Sequence, residues 1–295
     1  SMMHLSKNRE ALQKKRNRLL YRLYQRNILD EIDYELSISE SLPTEPLPLP
    51  QIAPHLVSYF YQTRKGEHIV SSLDKNLQVQ IEHLLERWNS EFLRSDIRNM
   101  AAIVIDVQTN RVVSYCGNVG FNENRSANQV DIIRSPRSTG SILKPFLYYA
   151  ALQQGEILPN TLLADIPMNI NGFSPQNFNM QYDGAVQASK VIARSLNIPT
   201  VLLLRRYGVP KFYEFLKKTG VSTLTKTSDH YGLSLILGGA EATLWDICSV
   251  YTDMGRSLKE LDKISCSLLL NEKQEKQRAV FQPGAVWQTF DAIKE

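Results

Sequence analysis

The run Arg134-Ser135-Pro136-Arg137-Ser138-Thr139-Gly140-Ser141-Ile142-Leu143-Lys144-Pro145-Phe146 sets a hydroxyl and an amine three residues apart. A serine hydroxyl is a poor nucleophile until a base takes its proton. A lysine titrates near about 10.4 and becomes that base when burial or nearby positive charge pulls it to roughly 7–8. Ser141 and Lys144 are therefore a candidate acyl-transfer pair, nucleophile and base.

The element that must position them reads as a helix. Leu143, Phe146, Leu147, Ala150 and Ala151 recur at helical spacing, and Gly155 is a natural stop. Ser138 or Thr139 is expected to cap its start, with Pro145 tolerated in the first turn. A helix N-terminus adds partial positive charge and unpaired N–H groups. Both favour a neutral Lys144 and a developing oxyanion at Ser141.

Ser-x-x-Lys alone is a cheap motif, expected about once by chance in a chain of ordinary composition. A second copy, Ser72-Leu73-Asp74-Lys75, reads as a capped helix start. Ser195-Leu196-Asn197 follows the first pair and falls between two helical stretches, 186–194 and 200–207. Pro199 is expected to hold Ile198 extended there. A hydroxyl and an amide at such a junction can relay a proton and hold a substrate amide. Ser126-Ala127-Asn128 repeats the pattern inside a polar loop. Lys218-Thr219-Gly220 closes a helix over 211–219, Gly220 serving as the residue just past its end.

The chain has 295 residues, 43% hydrophobic and 22% charged, a globular composition large enough for one sizeable domain plus a smaller part. The net charge of +4 is unevenly placed. Lys7, Arg9, Lys14, Lys15, Arg16, Arg18, Arg22 and Arg26 face Glu10 alone, in a helix with Leu12, Leu19, Leu20, Leu23 and Tyr24 on one stripe. With a second helix over 31–39 capped by Asp30, the plain reading is a solvated helical hairpin. Basic helices also bind nucleic acid or anionic lipid, but no nucleic-acid motif accompanies this one, and no nucleic-acid partner is expected. No apolar run approaches the roughly 18 residues of a membrane span, and no signal pattern opens the chain. Cys116, Cys248 and Cys266 lack metal spacing and cannot form a closed disulfide framework. Cys248 reads as core packing. The five histidines form no ligand cluster, so neither a metal nor a cofactor is expected.

Pro43, Pro46, Pro48 and Pro50 mark a stiff linker over 42–52. It divides a helical segment, 1–41, from a main domain, 53–295. In that domain a short helix over 54–62, a strand near 68–72 and a helix over 74–94 are expected. A hairpin of 101–106 with 111–116 follows, then an irregular stretch over 155–184 and helices over 243–254 and 284–293.

Taken in order, these features resemble the transpeptidase module of class A penicillin-binding proteins, the 1C type in particular. The resemblance is carried by 134–146, Ser174-Pro175-Gln176-Asn177-Phe178, 194–199, 233–241 and Pro283-Gly284-Ala285. Lys7-Asn8-Arg9 with 15–20 is similar to the end of the family's glycosyltransferase domain, and Ser72-Leu73-Asp74 with Leu77-Gln78 to the segment before the first transpeptidase strand. The resemblance implies an α+β serine transpeptidase/β-lactamase-like fold, an antiparallel sheet flanked by helices and preceded by a helical segment. It implies peptidoglycan D,D-transpeptidation within a bifunctional cell-wall synthase. Ser141 would attack the carbonyl between two D-alanines of a stem peptide and Lys144 would take its proton. Ser195 would pass a proton to the leaving amine and Asn197 would hold the substrate backbone. β-Lactams would inhibit by acylating Ser141.

The family's third motif, Lys-Thr-Gly, lies on a core strand after the Pro-Gly-Ala helix. It is expected downstream of Glu295, leaving the C-terminal sheet strands missing. The glycosyltransferase body and a membrane anchor are expected upstream, on the periplasmic face of the bacterial inner membrane. Two other readings stand beside this one. One is a catalytically incompetent binding module. The other is a serine β-lactamase, which needs a carboxylate-activated water; residues 164–184 offer Asp165 and Asp183 but no glutamate.

Overall fold

The computed structural model describes residues 8–43, 51–121, 127–170, 172–277 and 279–294. Lys7, Ser126 and the linker prolines Pro46, Pro48 and Pro50 lie outside them. The chain divides into two compact units, Ser1–Gln51 and Ile52–Glu295.

In the first unit, α1 (Arg9–Gln25) and α2 (Glu31–Ser39) form a hairpin in which neither helix buries a residue. Asp30 caps α2 as expected, its Oδ1 accepting the Asp33 N–H at 2.7 Å. Tyr24 stacks on Tyr34 at 4.9 Å, and the Arg16 guanidinium donates to the Ile38 and Glu40 carbonyls. Part of the basic charge therefore caps the end of α2.

The second unit opens with α3 (Pro54–Thr63) and α4 (Lys75–Phe92). Strands β1 (Ala102–Asp106) and β2 (Arg111–Cys116) make the expected antiparallel hairpin. Its turn is set by Asp106, whose carboxylate accepts from the Gln108 and Thr109 N–H groups and the Thr109 hydroxyl. Next come β3 (Arg137–Ser138), α5 (Lys144–Gln153), β4 (Leu162–Asp165), β5 (Gly184–Gln187), α6 (Ala188–Ala193), α7 (Asn197–Tyr207) and α8 (Val209–Thr219). The unit continues through α9 (Ser228–Tyr231), a 3-10 segment Gly232–Leu237, β6 (Glu241–Ala242), α10 (Leu244–Leu258) and α11 (Pro283–Ile293). The architecture is α+β. Among the described residues its strands form three separate two-stranded antiparallel ladders, β1–β2, β3–β6 and β4–β5, rather than one sheet.

Helix α5 is the hub. Phe146, Leu147, Tyr148, Tyr149, Ala150 and Ala151 are all buried, so its middle has no solvent face, and exposure returns only at Gln153. Helices α6, α7, α8 and α11 pack around it. A smaller core of Leu56, Val112, Tyr115, Ile133 and Leu268 lies under α3 and the hairpin.

Several expectations change. The strand near 68–72 is only an isolated bridge, Ser71 to Leu269. The stretch 155–184 contains β4, whose partner β5 lies beyond it in sequence, so local pattern could not reveal the pair. The start of α4 is capped as expected, by Asp74, whose Oδ1 accepts the Leu77 N–H at 2.9 Å, while the Ser72 hydroxyl donates to the Val112 carbonyl at 2.7 Å. Ile198 is helical, because Pro199 falls in the first turn of α7 where no N–H is needed. Cys248 is half-buried and free. Lys218-Thr219-Gly220 does end a helix: Gly220 has φ +112° and its N–H donates to the Leu216 and Lys217 carbonyls, while Lys218 is exposed.

Truncating the hub should cost most. Phe146→Ala is expected to lower the unfolding free energy by about 3–5 kcal/mol, read from urea midpoints; a loss under about 1 kcal/mol would remove α5 from the centre of the core.

Candidate active site

Ser141 lies in the turn just before α5, which begins at Lys144. Neither Ser138 nor Thr139 caps that helix. The Ser138 hydroxyl donates to the Gly238 carbonyl at 2.8 Å, and the Thr139 hydroxyl donates to the Ala240 carbonyl at 3.2 Å. Both side chains tie the nucleophile turn to the segment before α10, alongside β3–β6. The approach is close. A Cβ on Gly238 would lie 2.9 Å from Gly140 Cα, so no larger residue fits without moving the turn. Gly238 thus has a structural reason, letting one backbone rest on the other, whereas a Cβ on Gly239 would meet Ser234.

A serine and a lysine acting as nucleophile and base need to come within hydrogen-bond reach, about 2.6–3.2 Å or somewhat looser without ligand. Ser141 is exposed, and its hydroxyl makes no hydrogen bond among the described residues. Its carbonyl accepts the Lys144 N–H at 3.0 Å, which fixes the backbone of the turn while leaving the side chain open.

Lys144 is the opposite case, 1% exposed. Its Nζ donates to the Ser195 carbonyl at 2.6 Å, to Ser195 Oγ at 3.2 Å and to Asn197 Oδ1 at 2.6 Å. All three partners are neutral, and among the described residues no carboxylate pairs with it. Burial therefore pulls its pKa down to about 8. When neutral, the amine can keep its two short donations and still turn a lone pair toward a hydroxyl.

The oxygens around Nζ come from the junction of α6 and α7. Ser195 has φ +53°, a left-handed conformation that a non-glycine residue adopts at a cost. It is held there by its own N–H to the Ile192 carbonyl and by the Leu196 N–H to the Val191 carbonyl, each at 3.0 Å. Asn197 begins α7. Its Nδ2 donates to the Gln176 carbonyl at 2.7 Å.

Asn177, named in sequence only as part of a matching run, holds this junction. It is buried, and its Oδ1 accepts the N–H groups of Asn197 at 2.9 Å and Ile198 at 3.3 Å. Its Nδ2 donates to Asp165 Oδ1 at 2.7 Å and to the Gln181 carbonyl at 3.0 Å. Buried Asp165, at the end of β4, also accepts the Asp183 N–H at 3.0 Å. The unpaired donors at the start of α7 are thus satisfied by a loop amide in place of a local cap. No spacing rule predicts that. So Lys144, Ser195 and Asn197 are brought into direct contact, and Ser141 joins them through its own turn.

The fold is that of the α+β serine transpeptidase-like class. Residues 100–260 match the penicillin binding protein transpeptidase domain, and the chain belongs to that family. It is 33% identical over 247 residues to penicillin-binding protein 1C of Escherichia coli K12, covering 84% of this chain and 32% of that protein. It is 24% identical to penicillin-binding protein 1B of Vibrio cholerae, covering 97% of this chain and 40% of that one. The chain therefore spans about a third of the length of the curated relatives it matches. Among solved structures, the TP domain of Burkholderia pseudomallei penicillin-binding protein 3 superposes with a TM-score of 0.61 at 19% identity, covering 76% of this chain and 69% of that one. That likeness supports the fold.

Two outcomes follow from the geometry. Below pH about 8 the folded state must carry an ammonium in a dry site, whereas an unfolded lysine binds its proton up to about 10.5. Between those values the unfolded chain holds more protons, so stability rises with pH. Against a Lys144→Met reference, the unfolding free energy should climb by up to about 1.4 kcal/mol per pH unit across that window. Urea titrations from pH 7.5 to 10 check this, and a flat difference counts against the depressed pKa. Asn177→Ala should cost about 1–3 kcal/mol by stranding Asp165 and two backbone donors; an unchanged midpoint would mean water replaces it freely.

Proposed function

We propose that this chain is the peptidoglycan D,D-transpeptidase module of a bifunctional cell-wall synthase and acts through a serine acyl-enzyme. The observation that carries the reading is the buried Lys144 amine, with no counter-ion, ringed by Ser195 and Asn197 one turn from the exposed Ser141 hydroxyl. Ser141 Oγ attacks the carbonyl between the two D-alanines while Lys144 Nζ takes its proton. Ser195 Oγ, at 3.2 Å from Nζ, relays that proton to the departing amine of the last D-alanine. Asn197 keeps one amide hydrogen and one oxygen lone pair beyond its contacts to Gln176 and Lys144, and these hold the substrate backbone. The Ser141 N–H, which donates no hydrogen bond among the described residues, is one donor for the oxyanion. A second chain's amine then takes the acyl group.

The same reading assigns the first unit to the C-terminal helical end of a glycosyltransferase domain and places the protein on the periplasmic face of the inner membrane. Among the described residues no helix is long and apolar enough to cross a membrane. β-Lactams acylate Ser141 as mimics of the D-alanyl dipeptide.

Exposure to benzylpenicillin followed by intact-mass measurement tests this. A lasting adduct that Ser141→Ala abolishes, and that Lys144→Ala slows by at least about a thousandfold, is the expected result. Rapid release of the adduct would instead indicate a β-lactamase. No adduct at any penicillin concentration would leave a binding module and overturn the proposal.

A further inference from the structure

Away from the site just described, a cavity of about 280 Å³ opens between α3, α10 and the segment after it. Arg134 lines it, with its guanidinium between two rings, 4.0 Å from the Tyr59 centroid and 4.5 Å from that of Trp245. With both faces covered, only the in-plane N–H edge is left to bond. Among the described residues Arg134 has no carboxylate partner, and its buried Nε has no hydrogen-bond partner. The nearby acid, Asp131, accepts from the Tyr115 hydroxyl at 2.5 Å, and the same hydroxyl lies within hydrogen-bonding reach of the Arg134 guanidinium, so part of its edge is occupied and the rest is left to bond. Arg64 also lines the cavity. Its bond to Glu272, at 3.1 Å, is between half-exposed groups and is readily exchanged.

A guanidinium edge is a fork that fits the two oxygens of a carboxylate or phosphate, and stacking fixes the fork before a ligand arrives. A clamp built only for packing would not need an open cavity beside a guanidinium that no carboxylate pairs directly among the described residues. Next to it lies a second cavity of about 340 Å³, which shares Phe60 and Arg64 and is otherwise mostly apolar. We propose that the Arg134 cavity is a binding site for a small organic anion, a carboxylate or phosphate on an apolar body, separate from Ser141. None of Ser141, Lys144, Ser195 or Asn197 lines it.

Calorimetric titration of the chain with phenyl phosphate and with phenylacetate tests this and tells the two oxyanions apart. One saturable site per chain is expected for the better of the two. Arg134→Lys, which keeps the charge but loses the fork, should weaken it at least tenfold. Should Arg134→Lys not fold, Glu272→Gln gives the second reading: removing a carboxylate from the cavity lining takes away its repulsion of an anion and should tighten binding at least threefold. Ser141→Ala should leave the affinity unchanged. The proposal is overturned if neither anion saturates, if affinity is indifferent to these cavity variants, or if Ser141→Ala abolishes binding.

Discussion

Everything at the candidate site depends on one constraint, a buried lysine amine that has no counter-ion among the described residues. A carboxylate beside Lys144 would hold its proton and return its pKa toward the ordinary value. The site instead offers two carbonyl-type oxygens at 2.6 Å and a hydroxyl at 3.2 Å. These satisfy the donors of an ammonium and can also hold a neutral amine. Burial then sets the proton affinity, and α5 carries Lys144 into the core, its residues from Phe146 to Ala151 all being buried.

The oxygens must stay where they are for this balance to hold. Ser195 turns its carbonyl inward only because its backbone is left-handed, and a strained residue persists when its surroundings over-determine it. Here they do. Hydrogen bonds back to α6 fix one side of the junction, and Asn177 fixes the other by accepting from the first N–H groups of α7. Asn177 is in turn held by Asp165 on β4, so the β4–β5 ladder acts on the base through a chain of polar contacts rather than by touching it.

The Ser141-x-x-Lys144 pair was legible in sequence because its two members lie within four adjacent positions, next to a strongly periodic helix that begins at Lys144. The helical hairpin with its Asp30 cap and the β1–β2 hairpin were also local, and local patterns survive in sequence. What could not be read is what distant segments do to one another. Ser138 and Thr139 look like caps, yet a backbone roughly a hundred residues away competes for their hydroxyls. The β4 strand has no alternation strong enough to mark it and exists because β5 pairs with it. Asn177 carries no signature because its partners, Asp165 and Asn197, are set by the fold.

Ser141 and Lys144 are neighbours with opposite surroundings, and on the proposed reading this division is required. The base must be away from water to lose its proton near neutral pH. The nucleophile must face outward, since a peptide borne on a polymer can reach it only from outside. One short turn satisfies both demands: Ser141 ends the exposed side and Lys144 begins the buried helix. Because the Ser141 hydroxyl has no partner among the described residues, its place is set by the turn that carries it, through the close approach of Gly140 to Gly238 and the hydrogen bonds that the Ser138 and Thr139 hydroxyls donate. On that reading the base is positioned by its own side-chain hydrogen bonds and the nucleophile by those of its neighbours, so the two halves are independently built and meet only in the turn between them.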